Sequence, residues 1–158
     1  MDPVAVLDCD WFIIEGEKTI KKFAWCVVES GNSGSVTFDL PSFAYKYERD
    51  LVRQASFSHH IPWNEKGEFS ADDNGQQLIE AINLQQMVFY AKGLDKCRFL
   101  EKFLGRTVTN LEEFECPTYE NLTTIPRSTL NKAVVFGLWL RNLRSRTSWV
   151  LRDSMFLS

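Results

Sequence analysis

Residues 4–14 read VAVLDCDWFII, an almost unbroken apolar run interrupted only by Asp8 and Asp10. Side chains alternate across a strand, so two acids separated by one residue share a face. The stretch is therefore predicted to be a buried strand carrying two carboxylates. Ionised carboxylates are expensive to take out of water, so a metal ion, a lysine such as Lys96 or Lys132, or solvent must meet their charge. Of these, lysine pairing is the reading we favour, which makes Asp8 and Asp10 the first candidates for a functional site.

Working outward, Glu15 to Lys18 form a polar turn, and TIKKFAWCVVE at residues 19–29 reads as a second strand rich in aromatic and β-branched residues. Ser30 to Gly34 form a turn cluster. Val36, Phe38 and Leu40 then alternate with small or polar residues up to Pro41, as a third strand would. The first forty residues are thus expected to form an antiparallel meander. A helix is expected within Phe43–Phe57, followed by an irregular connection over Ser56–Asn64.

Further on, Ser70 followed by three helix-compatible residues predicts a capped helix over Ala71–Asn83, with Leu78, Ile79 and Ile82 on one face. Met87–Ala91 is expected to be a short strand, Leu94–Leu104 a helix stopped by Gly105, and Val108–Phe114 another short strand. Cys116–Ser128 reads as a loop with two prolines. The last helix is expected over Thr129–Arg144, with Val134, Val135, Leu138 and Trp139 inward. We divide the chain into a domain at 1–144 and an apolar, basic tail at 145–158.

Composition narrows the class. Of the 158 residues, 44% are hydrophobic and 25% charged, which excludes a disordered or collagen-like chain. The net charge of −3 provides no overall positive field for nucleic acid. No run approaches the roughly 18–20 apolar residues that a membrane helix needs, and Met1-Asp2-Pro3 lacks the start of a secretory signal, so an intracellular protein without membrane association is expected. The four cysteines are scattered and are read as reduced core thiols. Asn121-Leu122-Thr123 carries no weight as a glycosylation site in that setting. His59 and His60 are read as structural loop residues, and Gly31 and Gly34 as hairpin-turn residues. Arg127, Lys132, Arg141, Arg144, Arg146 and Arg152 against Asp153 give the last 32 residues a net +5. Arg141, Arg144 and Trp149 are candidates for contact with a phosphate backbone, although a solvated helix face explains the same charges. The apolar tail residues need a docking place on the domain, on a partner or on a second copy.

The order βββ, α, β, α, β, α with an acid-x-acid first strand resembles the ribonuclease H-like architecture, and within it the DnaQ-like (DEDD) exonucleases. The likeness covers most of the chain as a layout. It implies an α/β fold in which a mixed sheet, a three-strand antiparallel meander plus two parallel strands, is flanked by helices. It also implies two-metal phosphodiester hydrolysis by four acids around Mg²⁺ or Mn²⁺. Asp8-Cys9-Asp10 stands at the family's first motif, with Asp in place of Glu. At the second motif, three residues before Phe99, stands Lys96; Asp95 is its neighbour, about 100° away around a helix. At the third, near Asn131–Val134, there is neither a His nor an acid, and Lys132 is present.

The resemblance therefore implies a catalytically degenerate exonuclease-like domain without a cofactor, acting as a protein-interaction or nucleic-acid-associated module, with Lys96 and Lys132 among its binding residues. The alternative is an active 3′-5′ exonuclease on RNA or DNA, using Asp8, Asp10 and Asp95, with Asp8 and Asp10 as metal ligands. The Maelstrom-type nuclease domain of the piRNA pathway is similar in being a DnaQ-type fold without its acidic set. Tyr90 to Lys96 also resembles a pattern in uncharacterised insect proteins of mobile-element type.

Overall fold

The structure, a computed structural model, describes the backbone of residues 2–157 and the side chains of residues 2–146. Three consecutive strands, β1 (Val4–Ile14), β2 (Glu17–Val27) and β3 (Ser33–Asp39), form the antiparallel meander. A two-residue strand β4 (Phe69–Ser70) runs parallel to β3 at its outer edge. Strand β5 (Val88–Ala91) lies parallel to β1, and β6 (Val108–Asn110) lies parallel to β5. The sheet order is β4-β3-β2-β1-β5-β6, which puts the carboxylate-bearing strand in an interior position. The helices are α1 (Glu48–Phe57), α2 (Gly75–Ala81), α3 (Leu94–Leu104), α4 (Tyr119–Leu122) and α5 (Thr129–Leu157), with 3₁₀ turns at Ser42–Tyr47 and Leu111–Phe114.

An interior strand covered on both faces needs a near-continuous apolar sequence, and β1 has one. Ala5, Leu7 and Cys9 pack with Leu78 of α2 and Leu100 and Leu104 of α3. Val4 and Val6 share a cluster with Phe136 and Leu140 of α5, while Phe12 and Ile14 pack with Leu51 and Ala55 of α1. Helix α5 can approach β2 closely because residue 137 is glycine: a Cβ there would stand 2.8 Å from the Cys26 sulfur. That contact seats the start of α5 over the middle of the sheet.

Several expectations change. Helix α2 begins at Gly75, capped by Asn74, whose carboxamide oxygen accepts the Gln76 N–H at 2.8 Å. Ser70 is engaged elsewhere, pairing with β3 and accepting the Asp72 N–H at its hydroxyl, so it caps no helix. Strand β6 stops at Asn110, because that side chain accepts the Glu112 N–H and starts a 3₁₀ turn. Leu138 is not inward but 48% exposed, whereas Val134, Val135 and Trp139 are half-buried against the core beside the buried line of Ala133, Phe136 and Leu140. Gly34 lies within β3, under the Trp25 ring, rather than in the turn. The backbone of α5 continues past Arg144 to Leu157 without interruption. Helix α3 matches its expected bounds and ends on Gly105 in the left-handed region. All four cysteines are buried and free. Among the described residues no helix is long and apolar enough to cross a membrane.

Candidate functional site

The site begins with an irregularity in the β1–β2 pairing. Asp10 stands opposite Lys22 and Trp11 opposite Ile20, so Lys21 is an extra residue on β2, a bulge beside the two carboxylates. Asp8 and Asp10 are 4% and 8% exposed. Their parity with Val4 and Val6 directs them to the α5 side of the sheet.

Two lysines from different helices converge there. Lys132, in the first turn of α5, places Nζ 3.2 Å from Asp8 Oδ2 and 3.6 Å from Asp10 Oδ1. Lys96, in the first turn of α3, places Nζ 3.5 Å from Asp8 Oδ1 and 3.4 Å from Asp10 Oδ1, and also donates to the Cys9 carbonyl. Two negative and two positive groups make the cluster formally neutral. Thr129, the first residue of α5 and buried, donates its hydroxyl to Asp10 Oδ2 at 2.6 Å. Asp8 Oδ2 is met by the Lys132 ammonium at 3.2 Å.

Burial and the lysines divide the two acids. Burial pushes the Asp8 carboxyl above its usual range, more than the pull of Lys96 and Lys132 lowers it. Asp10 is somewhat less buried, and against that burial Lys96, Lys132 and the Thr129 hydroxyl together hold it below the usual range. Burial lowers Lys96 as well, and the charges of Asp8 and Asp10 outweigh it, leaving the ammonium above the ordinary lysine range. Lys96 therefore stays charged at neutral pH. Its Nζ also lies 5.2 Å from the Trp11 ring centre, with Lys18 Nζ at 4.5 Å from the same ring.

Asp8 and Asp10 are the carboxylates that could hold a divalent ion at this place. An ion between them would share its ligands with two ammonium groups 3.2–3.6 Å from the same oxygens. The donor set does not fit a divalent cation while both lysines are in position. Asp95 is exposed in the first turn of α3, and its neighbour Lys96 is the residue that turns toward the acids. Arg144 pairs with Glu29 at 2.9 Å, and Glu29 in turn accepts the Val4 N–H with both carboxylate oxygens. Arg141 is exposed on α5, and Trp149 lies outside the described side chains.

Two further residues take part: His59, read from the sequence as a structural loop residue, and Lys21, which was not singled out there. His59, in the segment after α1, hydrogen-bonds the Trp11 carbonyl through Nε2 at 3.0 Å, one residue from Asp10. Lys21 is fully buried, donating Nζ to the carbonyls of Phe38, at 2.9 Å, and Glu65. Its sequence signal was its parity with Phe23 and Trp25 in an alternating strand. His59 had none, because only the folded loop carries it to β1.

No family model matches the chain, and no curated protein matches it significantly.

Proposed function

We propose that the chain is a degenerate nuclease-like domain of ribonuclease H-like, DnaQ-like architecture, acting without hydrolysis as a protein-interaction or nucleic-acid-associated module. The observation that carries the reading is the placing of Lys96 and Lys132 on Asp8 and Asp10. A two-metal phosphodiesterase needs cations at its carboxylates to activate water and stabilise the leaving oxygen. Here two tethered ammonium groups supply the positive charge instead. They satisfy the buried acids but neither generate hydroxide nor offer exchangeable coordination positions. The sheet order supports the fold half of the reading: an antiparallel meander whose first strand is flanked by a parallel β5 and then β6.

The test is degradation of end-labelled single-stranded RNA and DNA with Mg²⁺ or Mn²⁺, using wild type and Asp8→Ala side by side. The expected result is no metal-dependent shortening that depends on Asp8. Shortening by wild type that disappears in Asp8→Ala would establish the exonuclease instead. Fluorescence anisotropy with the same oligonucleotides separates the two module roles: saturable binding weakened by Arg141→Ala favours nucleic-acid association, and no binding favours a protein partner.

A further inference from the structure

The structure assigns to His59 the role of an acid-released latch, which holds residues 58–64 against β1 at neutral pH and lets them go when the imidazole takes a second proton. This inference is independent of the nuclease-like reading. It rests on the opposite demands made on the two ring nitrogens. Nδ1 accepts the Ile61 N–H at 3.0 Å, and Nε2 donates to the Trp11 carbonyl at 3.0 Å. Only the neutral, Nε2-protonated tautomer meets both, and the partners fix that assignment. A proton added at Nδ1 turns the acceptor into a donor facing another donor at 3.0 Å, so ring and amide must separate.

The latch has a definite load. The ring stands edge-on to Phe12, 4.7 Å between centres at 82°, and Phe12 is completely buried. Trp63, in the same segment, packs on the cluster formed by Phe12, Ile14, Leu51 and Ala55. His60 adopts a left-handed backbone, φ 59°, and its N–H donates to the Ala55 carbonyl at 2.9 Å, closing the end of α1. Release of the ring therefore removes its edge-on cover from Phe12.

The charges around the ring are Asp10 from β1, Lys96 from α3 and Lys132 from α5, with His60 beside it in its own segment. Asp10 favours the imidazolium, and the two lysines oppose it. Burial, the largest influence, pushes the imidazole below its ordinary 6.5. The closed segment thus prefers neutral His59, and the open one titrates near 6.5. The closed state is favoured above that pH and weakened as pH falls toward the closed-state value. In that window the opening constant rises by up to roughly tenfold per pH unit.

The experiment is amide hydrogen exchange on the full chain from pH 7.5 to 5, corrected for intrinsic exchange, together with an NMR titration of the His59 ring. The expected result is a His59 midpoint below 6.5, with Ile61 protection falling in step while amides of the β1–β2 ladder keep theirs. His59→Gln is expected to remove the pH dependence of Ile61 protection, and His60→Gln to leave it intact. A wild-type midpoint at or above 6.5, or Ile61 protection that ignores pH, overturns the latch. Unchanged pH dependence in a folded His59→Gln variant overturns it as well. Should that variant fail to fold, the wild-type titration and Ile61 exchange decide by themselves.

Discussion

Lys96, partly buried, and Lys21, fully buried, lie beside the same β1–β2 bulge, yet they are held in opposite ways. Lys96 meets two carboxylates, and its ammonium is stabilised beyond the ordinary range. Lys21 meets two backbone carbonyls, and burial lowers it despite the more distant Glu65 and Asp39. Carbonyl oxygens satisfy the donors of a lysine but return only part of the hydration lost, whereas carboxylates return charge for charge. Lys96 and Lys132 thus belong to a self-neutralising cluster that binds helices α3 and α5 to β1. Lys21 pins the segment around Glu65 to β3 and carries an uncompensated desolvation cost.

The largest expected effect that sharpens this contrast comes from Lys96→Met. It leaves two buried carboxylates facing one lysine and is expected to lower stability by about 3–5 kcal/mol. The deficit should shrink as pH falls from 7 toward 4, because the exposed imbalance is relieved when a carboxyl takes up a proton. Denaturant unfolding at several pH values checks both the size and the trend; a pH-independent deficit would break the charge account.

Thr129→Val comes next, at about 1.5–3 kcal/mol, since it removes a buried hydrogen bond to a charged group. In wild type, Asp10 is held below 3.8, so its contribution is present above that pH and lost as pH falls below it. Thr129→Val should move the onset of acid unfolding to higher pH, which circular dichroism across an acid titration reads directly.

Lys21→Met is expected to cost no more than about 1–2 kcal/mol, the loss of two carbonyl acceptors being offset by the removed desolvation of the ammonium. The two lysines should also differ in alkali. Lys96, raised above 10.5, loses its contribution as pH climbs through its folded value, whereas deprotonating Lys21 on the approach to 10.5 relieves the folded state. Thermal melts should therefore show the Lys21→Met deficit growing as pH approaches 10.5, while the Lys96→Met deficit stays level up to 10.5 and shrinks only above it.

Arg144→Ala should have the smallest effect, about 0–1 kcal/mol and weaker in salt, because its pair with Glu29 is half-exposed. A loss as large as that of Lys96→Met would erase the distinction between buried and exposed pairs.

The meander and the strand-helix units were legible because β1 and β2 are long and apolar and Gly105 marks the end of α3. Asp8 and Asp10 were legible because alternation fixes their shared face. The two lysines were nameable from their positions ahead of Phe99 and within the last helix, but their convergence depends on how α3 and α5 dock. Ser70 misled because a serine serves a strand edge and a tight turn as readily as a helix cap. Leu138 misled because a helix with apolar residues on several sides does not declare which one faces the sheet. Strand β4 is too short to show any period, and the bulge at Lys21 is invisible without its partner strand.

Under the proposed function, the Lys96 and Lys132 ammonium groups stand at Asp8 and Asp10 in the place that metal ions take in an active nuclease. Isothermal titration of Mn²⁺ into wild type and Asp8→Ala tests it most directly. The account predicts no saturable binding in wild type that the substitution removes. Tight binding to wild type, lost in Asp8→Ala, would contradict it and return the site to metal-dependent hydrolysis.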